Sequence, residues 1–244
     1  MARGIAGSGV LLAFLLLVAA PWGGIALAAE DGCAGCHDGL KSGAMAGRHA
    51  DYRGSVHERA GVGCDSCHGG NPRAADKVDA HKGVMPAADK TSRIHFQNVP
   101  ETCGACHKGQ RRGFVTSRHY RELESTGQGP NCVTCHGSMA TRVMGVDTIE
   151  QFCIVCHNPK RGIAPEKPWE AATALTLMDQ ADTLTRWAGE FAELAGKKPP
   201  PALDTARREL AAARTVWHTF DLEQVRAHAR KASAAAVEAR EALR

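Results

Sequence analysis

The sequence predicts a mainly α-helical protein with extensive loops, in two parts of different composition. Alternating runs of β-branched and aromatic residues, which would indicate strands, are nearly absent. Residues 30–160 are rich in Gly, Ser, Asp, Lys and Pro and show hardly any apolar periodicity, which indicates short helical turns joined by long loops. Residues 161–244 are rich in Ala, Leu, Glu and Arg and carry apolar stripes at helical spacing. We therefore expect a loop-rich region followed by an amphipathic helical bundle.

The N-terminus has the features of an exported chain. Arg3 precedes an apolar run over 10–20, and Ala26–Ala29 has the small residues of a cleavage site. We therefore predict a signal peptide over 1–29 that is cleaved, so that the protein is periplasmic or extracellular. An uncleaved membrane anchor is the alternative, because the apolar stretch would just span a bilayer if Pro21 were tolerated.

Five copies of the pattern C-x-x-C-H follow, and together they use all ten cysteines. This pattern is the attachment signature of c-type haem, because the two thiols form thioethers with one porphyrin and the histidine binds its iron as the proximal axial ligand. A disulfide framework, zinc ribbons or iron–sulfur clusters would leave the repeated histidine unexplained. We therefore predict five covalently bound haem c groups. The predicted anchors are Cys33, Cys36, Cys64, Cys67, Cys103, Cys106, Cys132, Cys135, Cys153 and Cys156, and the predicted proximal ligands are His37, His68, His107, His136 and His157.

The porphyrins would form most of the core of the first region. Aromatic residues make up 5% of the chain, which is too few for an ordinary core around residues 33–157. We therefore predict a haem-packed multihaem cytochrome region, a pentahaem cytochrome c domain over 30–160. The formal net charge of +4 does not indicate nucleic acid binding. Haem propionates would add about ten negative charges, and no basic block with interleaved aromatic residues occurs.

Histidines outside the motifs are candidates for the sixth, distal iron ligand. For His49 a ligand role and a surface role both stay open, and His228 is interpreted as a surface or capping residue. Met85, Met139 and Met144 are alternative ligands, although histidines are more numerous. Irons with two histidine ligands have no vacant position for a substrate, so they would pass electrons. The predicted distal ligands are His57, His81, His95, His119 and His218.

Two stretches carry a family resemblance. Ser55-Val56-His57 followed by Gly61–Gly70 resembles the S-x-H … G-V-x-C-x-x-C-H-G stretch of periplasmic multihaem c-type cytochromes, and residues 117–119 and 132–137 repeat it. That superfamily includes the nitrifier tetrahaem cytochrome c, the quinol-oxidising multihaem cytochromes and the octahaem enzymes that act on nitrite or hydroxylamine. The resemblance covers about residues 33–160 and implies stacked haem pairs, bis-histidine ligation and electron transfer. Two departures are the absence of a C-x-x-C-K motif and of three octahaem motifs.

The C-terminal region over 161–244 is predicted to form about three amphipathic helices. Apolar stripes run over 177–195, 203–220 and 225–243 at helical spacing. Asp221–Gln224 has the spacing of a capping pair at the start of the third helix. We expect the helices to form an antiparallel bundle or to lie along the haem region, and self-association through them is a further interpretation.

The sequence therefore predicts an exported pentahaem cytochrome that relays electrons, a carrier rather than a catalyst, with no catalytic residue assigned. The predicted partners are redox proteins, a membrane quinol oxidase-type donor or a terminal reductase acceptor, and not nucleic acid. Membrane contact would require an uncleaved N-terminal segment. The alternative function is a small multihaem reductase of nitrite, hydroxylamine or a metal oxyanion with one five-coordinate haem.

Overall fold

The computed structural model describes residues 32–40, 42 and 48–244. Within these ranges the backbone forms twelve α-helices and two short 3-10 helices, Arg48–Asp51 and Trp217–Thr219, and contains no strand. The predicted mainly α-helical, loop-rich fold is thereby confirmed, whereas the predicted signal peptide over 1–29 lies outside the described residues. The α-helices are α1 Gly32–Asp38, α2 Val56–Arg59, α3 Asp65–His68, α4 Lys77–Ala80, α5 Val99–Gly104, α6 Lys108–Phe114, α7 Arg118–Thr126, α8 Cys132–His136, α9 Val146–Cys153, α10 Lys167–Leu194, α11 Pro201–Val216 and α12 Leu222–Glu241.

Each C-x-x-C-H motif lies on a short helix or at its end. The first and fourth motifs fall entirely within α1 and α8, and the second begins at the residue that precedes α3. The third begins near the end of α5 and the fifth at the last residue of α9. One helical turn places residues three positions apart on the same face, so both thiols of a motif can reach one porphyrin.

The three longest helices, α10, α11 and α12, pack against one another through small side chains. Fully or almost fully buried alanines line the contact, with Leu203 and Val225 as its larger members. Such small residues allow the helix axes to approach closely. An ion pair between Arg214 and Asp182 at 2.8 Å joins α11 to α10 at the surface. None of the described helices combines the length and the apolarity that a membrane span requires.

The bundle and the motif region share one apolar cluster. Ile149 and Cys153 of α9 pack against Ala171, Ala174 and Met178 of α10. Helix α6 also contacts the 3-10 helix that joins α11 to α12. Since this cluster crosses residue 160, the predicted boundary between the two regions stays a prediction.

Candidate haem-binding site

Four of the five motif histidines face the ring of a second histidine that lies far away in the sequence. All four second rings belong to histidines predicted as distal ligands. The ring centres are separated by nearly the same distance in every pair. The pairs are His37 with His81 at 6.1 Å, His107 with His57 at 6.0 Å, His157 with His119 at 5.9 Å and His136 with His218 at 6.2 Å.

This common separation is the one expected for two imidazoles on opposite sides of one metal ion. A first-row metal lies about 2 Å from an imidazole nitrogen, and the ring centre lies roughly 1 Å behind that nitrogen, so the two ring centres should be about 6 Å apart. The observed range is 5.9–6.2 Å. The residues present therefore fit a haem iron with a histidine on each side.

One histidine of each pair is oriented by a hydrogen bond at Nδ1. A ligand histidine generally donates this N–H to a carbonyl or another oxygen, which leaves the Nε2 lone pair for the metal. Three of these acceptors are backbone carbonyls, which can only accept, so their histidines carry the proton on Nδ1. The bonds are His81 to the Lys77 carbonyl at 2.7 Å, His136 to the Arg142 carbonyl at 2.9 Å, His157 to the Ile163 carbonyl at 3.0 Å, and His57 with the Thr141 hydroxyl at 2.8 Å.

The repeated S-x-H sequence has a structural cause. Ser55 and Ser117 are the N-caps of α2 and α7, and each hydroxyl accepts a hydrogen bond at 3.1 Å from the backbone N–H three residues later. Both serines are buried, so the caps are shielded from water. His57 and His119 each occupy the second position of the capped helix. The serine therefore fixes the backbone that presents the histidine to its partner ring.

Burial keeps two of the paired histidines in their neutral form. It lowers the pKa of His119 to about 4, with the nearby His157 as the second cause. Burial likewise lowers the pKa of His218 to about 4, and His136 adds to the effect. A neutral imidazole is the form that binds a metal ion. Phe220 packs edge-on against the His119 ring, with ring centres 4.3 Å apart, and so helps to hold it in place.

Motifs that follow one another in the sequence are also neighbours in space. Side chains of each successive pair of motifs are near enough to influence each other electrostatically, so the five motifs follow one another in space in sequence order. The neighbouring pairs are His37 with His68, Cys67 with Cys103, Cys103 with Cys132, and Cys135 with Cys153.

The comparisons with known proteins point to the same chemistry. The sequence model of the family "Cytochrome c7 and related cytochrome c" matches residues 50–137. The chain is 28% identical to the C-type polyheme cytochrome OmcB of Geobacter sulfurreducens over 62% of its own length. It is 26% identical to the multiheme cytochrome MtrA of Shewanella baltica over 57% of its length. These similarities support a relation to the multihaem c-type cytochromes.

The predicted resemblance to multihaem c-type cytochromes is thereby confirmed; that family implies covalently bound haem c and supports a role in electron transfer. The chain covers 22% of OmcB and 34% of MtrA, so it spans about a third or less of the length of these curated relatives. A further relative is the C-type polyheme cytochrome OmcC of Geobacter sulfurreducens, 26% identical over 58% of the chain, which covers 16% of OmcC. No solved structure matches the chain.

The second motif of the cytochrome differs from the other four. Among residues 32–40, 42 and 48–244, no histidine ring faces His68 at the distance seen in the four pairs. His95, predicted as a distal ligand, faces no motif histidine within the same ranges, and its ligand role stays a prediction. Its Nδ1 instead accepts a hydrogen bond from the backbone N–H of Gln97 at 3.4 Å.

His49 and His228, the two histidines that the sequence did not assign as iron ligands, have acidic partners. Nε2 of His49 contacts the carboxylate of Asp38, which also pairs with Arg53. Nδ1 of His228 lies 2.7 Å from the carboxylate of Glu209 and so ties α12 to α11. Of the alternative methionine ligands, Met144 packs against the apolar cluster of the bundle, and Met85 is exposed.

Sequence reasoning missed the groups that orient the histidines. Thr141 and Ile163 gave no signal, because their roles depend on a hydroxyl or carbonyl brought near an imidazole by the tertiary fold. Phe220 was visible only as part of an apolar stripe. Its left-handed backbone, with φ of 59°, turns the chain between the 3-10 helix and α12 and directs its ring at His119.

Proposed function

We propose that the protein is an exported pentahaem cytochrome that relays electrons between redox proteins through haems of which four have two histidine ligands. The observation that carries the proposal is the set of four histidine pairs with ring centres 5.9–6.2 Å apart. Each pair joins the last residue of a C-x-x-C-H motif to a histidine from another part of the chain. When bound, haem c supplies a one-electron iron couple whose potential depends on these ligands.

The pairs give a specific ligand assignment. His37, His107, His136 and His157 are the proximal ligands of the first, third, fourth and fifth haems, and the motif cysteines are their covalent anchors. The distal ligand comes from a segment before the motif for the third and fifth haems, and from one after it for the first and fourth. The distal ligand is His81 for the first haem, His57 for the third, His218 for the fourth and His119 for the fifth.

Two features of the chain favour electron relay over catalysis at these four haems. A histidine on each side of the iron leaves no position for a substrate, and burial keeps His119 and His218 neutral and ready to bind. The continuous series of motifs places each haem site beside the next, as from Cys103 to Cys132. Electrons that enter at one site therefore have neighbouring sites to move to.

Export and redox partners complete the proposal. A c-type cytochrome of this kind receives its haem after translocation, which fits the predicted signal peptide over 1–29 and a periplasmic or extracellular location. A quinol-oxidising membrane protein is the proposed donor and a terminal reductase the proposed acceptor. Similarity to proteins named polyheme and multiheme cytochromes supports the class of function without naming either partner.

The test uses the full-length protein produced in a host that attaches c-type haem. Intact mass should show a mature chain with five haems, and electron paramagnetic resonance (EPR) of the oxidised protein should show at least four low-spin ferric haems. Rapid mixing of the reduced protein with a second oxidised multihaem cytochrome should show electron transfer between them. Fewer than four low-spin haems, or no exchange with any redox protein tried, would contradict the proposal.

A further inference from the structure

We propose that the haem of the second motif, held by Cys64, Cys67 and His68, has no histidine on its distal side and binds a small exogenous ligand there. The class of ligand is that of carbon monoxide, nitric oxide and cyanide, which bind an iron with an open sixth position. The proposal rests on the ligand assignment above and concerns the one motif that the assignment leaves incomplete.

The first argument is the selectivity of the pairing. The same fold that brings four distant histidines to within 5.9–6.2 Å of their motif partners brings none to His68 among the described residues. His68 does have a near neighbour in His37, but that ring already faces His81. The second iron site is therefore built with its proximal ligand and without a histidine partner.

The second argument is that His49 is engaged elsewhere through the nitrogen that would bind iron. Its Nε2 contacts the Asp38 carboxylate, and Arg53 contacts the other oxygen of the same group. The His49 ring is buried although the Asp38 side chain is 40% exposed, so moving the ring would break this contact and require a new partner for a largely desolvated ring. The opposite arrangement, with the second ring nitrogen hydrogen-bonded and Nε2 directed at a partner ring, is the one seen for His81.

The third argument is the orientation and rigidity of His95. Its Nδ1 accepts a hydrogen bond from the Gln97 N–H, so the neutral ring carries its proton on Nε2, the nitrogen that iron would need. The loop is held by Ser92, whose buried hydroxyl donates to the Met85 carbonyl at 3.1 Å. The Asn98 side chain also donates to the Ser92 carbonyl at 2.9 Å. The Ser92 and Asn98 bonds hold the loop backbone near His95, and rotation of the ring for ligation would break the Gln97 hydrogen bond.

The second motif lies between the first and third motifs, which bears on what its haem would do. His68 lies near His37 of the first motif, and Cys67 lies near Cys103 of the third. An exogenous ligand at this haem would therefore sit between two bis-histidine sites, in the interior of the series. Ligand binding there would change the potential of a haem that lies between two others, so the site would report the presence of the ligand to the series.

The experiment counts open haems in the full-length holoprotein. Carbon monoxide is titrated into the reduced protein, and the oxidised protein is examined by EPR for high-spin ferric iron. The wild type should bind about one carbon monoxide per molecule and show one high-spin haem beside four low-spin haems. His49→Ala and His95→Ala should bind the same amount. His81→Ala, which opens the first haem, is the positive control and should bind about twice as much.

Any of the following outcomes would overturn the inference. The wild type binds no carbon monoxide, His49→Ala or His95→Ala gains a binding site that the wild type lacks, or the oxidised protein shows the absorption band of a methionine–iron bond. The wild-type measurement decides even where a variant fails to fold. Five low-spin haems would overturn this inference and leave the proposed electron relay intact, whereas loss of the relay would appear as missing haems or absent electron exchange.

Discussion

Replacing His218 by alanine tests whether the C-terminal bundle completes a haem site. His218 lies in the 3-10 helix between α11 and α12, and its ring faces His136 of the fourth motif at 6.2 Å. Its Nδ1 is buried and has no hydrogen-bond partner among the described residues, so no hydrogen bond at that nitrogen accounts for the position of the ring beside His136. The substitution should remove the distal ligand of the fourth haem and leave its proximal ligand and both thioethers in place.

The size of the effect follows from the number of pairs. Four bis-histidine haems become three, so the low-spin intensity assigned to such haems should fall by about a quarter. The carbon monoxide bound by the reduced protein should rise by about one molecule per chain, because the fourth iron becomes accessible. Five haems should remain, since the cysteines Cys132 and Cys135 still hold the porphyrin.

His228→Ala is the matched control. It also lies in the bundle, but its Nδ1 contacts Glu209 and its ring faces no motif histidine in the described part of the chain. The EPR spectrum and the carbon monoxide stoichiometry should equal those of the wild type. Intact mass and far-ultraviolet circular dichroism would show that both variants carry five haems and keep their helices. An unchanged spectrum in a five-haem His218→Ala protein would refute the assignment of the fourth haem.

Two further predictions concern ligand orientation and the bundle core. Thr141→Val removes the hydroxyl that is hydrogen-bonded to His57 Nδ1 at 2.8 Å. His57 should then be a weaker ligand, with a loss of iron affinity on the order of tenfold, and the midpoint potential of one haem should rise in a spectroelectrochemical titration. A potential equal to that of the wild type would contradict the orienting role of Thr141. Leu203→Ala, at a fully buried position, should lower the free energy of unfolding of the bundle by about 3 kcal/mol. Leu194→Ala, at a position that is 88% exposed, should change the free energy of unfolding by less than about 0.5 kcal/mol. Equal decreases for the two variants in denaturation curves would show that Leu203 is not packed as described.

The anchors of the haems could be read from the sequence, and the pairing of their ligands could not. A C-x-x-C-H motif is local, because one helical turn and one covalent reaction define it. The positions of His57 and His119, the proposed distal ligands of the third and fifth haems, were predictable because the S-x-H pattern marks a capped helix, as at Ser55 and Ser117. The motif that each histidine pairs with depends on loops whose sequences show no apolar periodicity. His57, for example, lies just before the second motif but pairs with His107 of the third.

The bundle shows a second limit of sequence patterns. The stripe predicted over 177–195 contains Phe191, yet this ring is 42% exposed. The buried face of α10 runs through Ala181 and Ala188, which the predicted stripe contains, and through Ala192, which it does not. Close approach of α11 and α12 requires small residues at the contact, so the bulkier apolar side chains lie on its flank. On the third helix the stripe is made mostly of alanine, and there the predicted positions are the buried ones.

The pairs also explain how so loop-rich a chain can hold a defined structure. Between residues 48 and 160, the buried apolar side chains larger than alanine are few, and they include Phe114, Leu123 and Ile149. Each histidine pair instead brings two distant segments together, and the pair of His136 with His218 joins the motif region to the bundle. Because metal binding at such a pair contributes to the free energy of folding, haems bound there would act as cross-links as well as redox centres. Under the proposed ligation, the histidines that would suit the irons for electron transfer are therefore also the ones that would fix the loops around them.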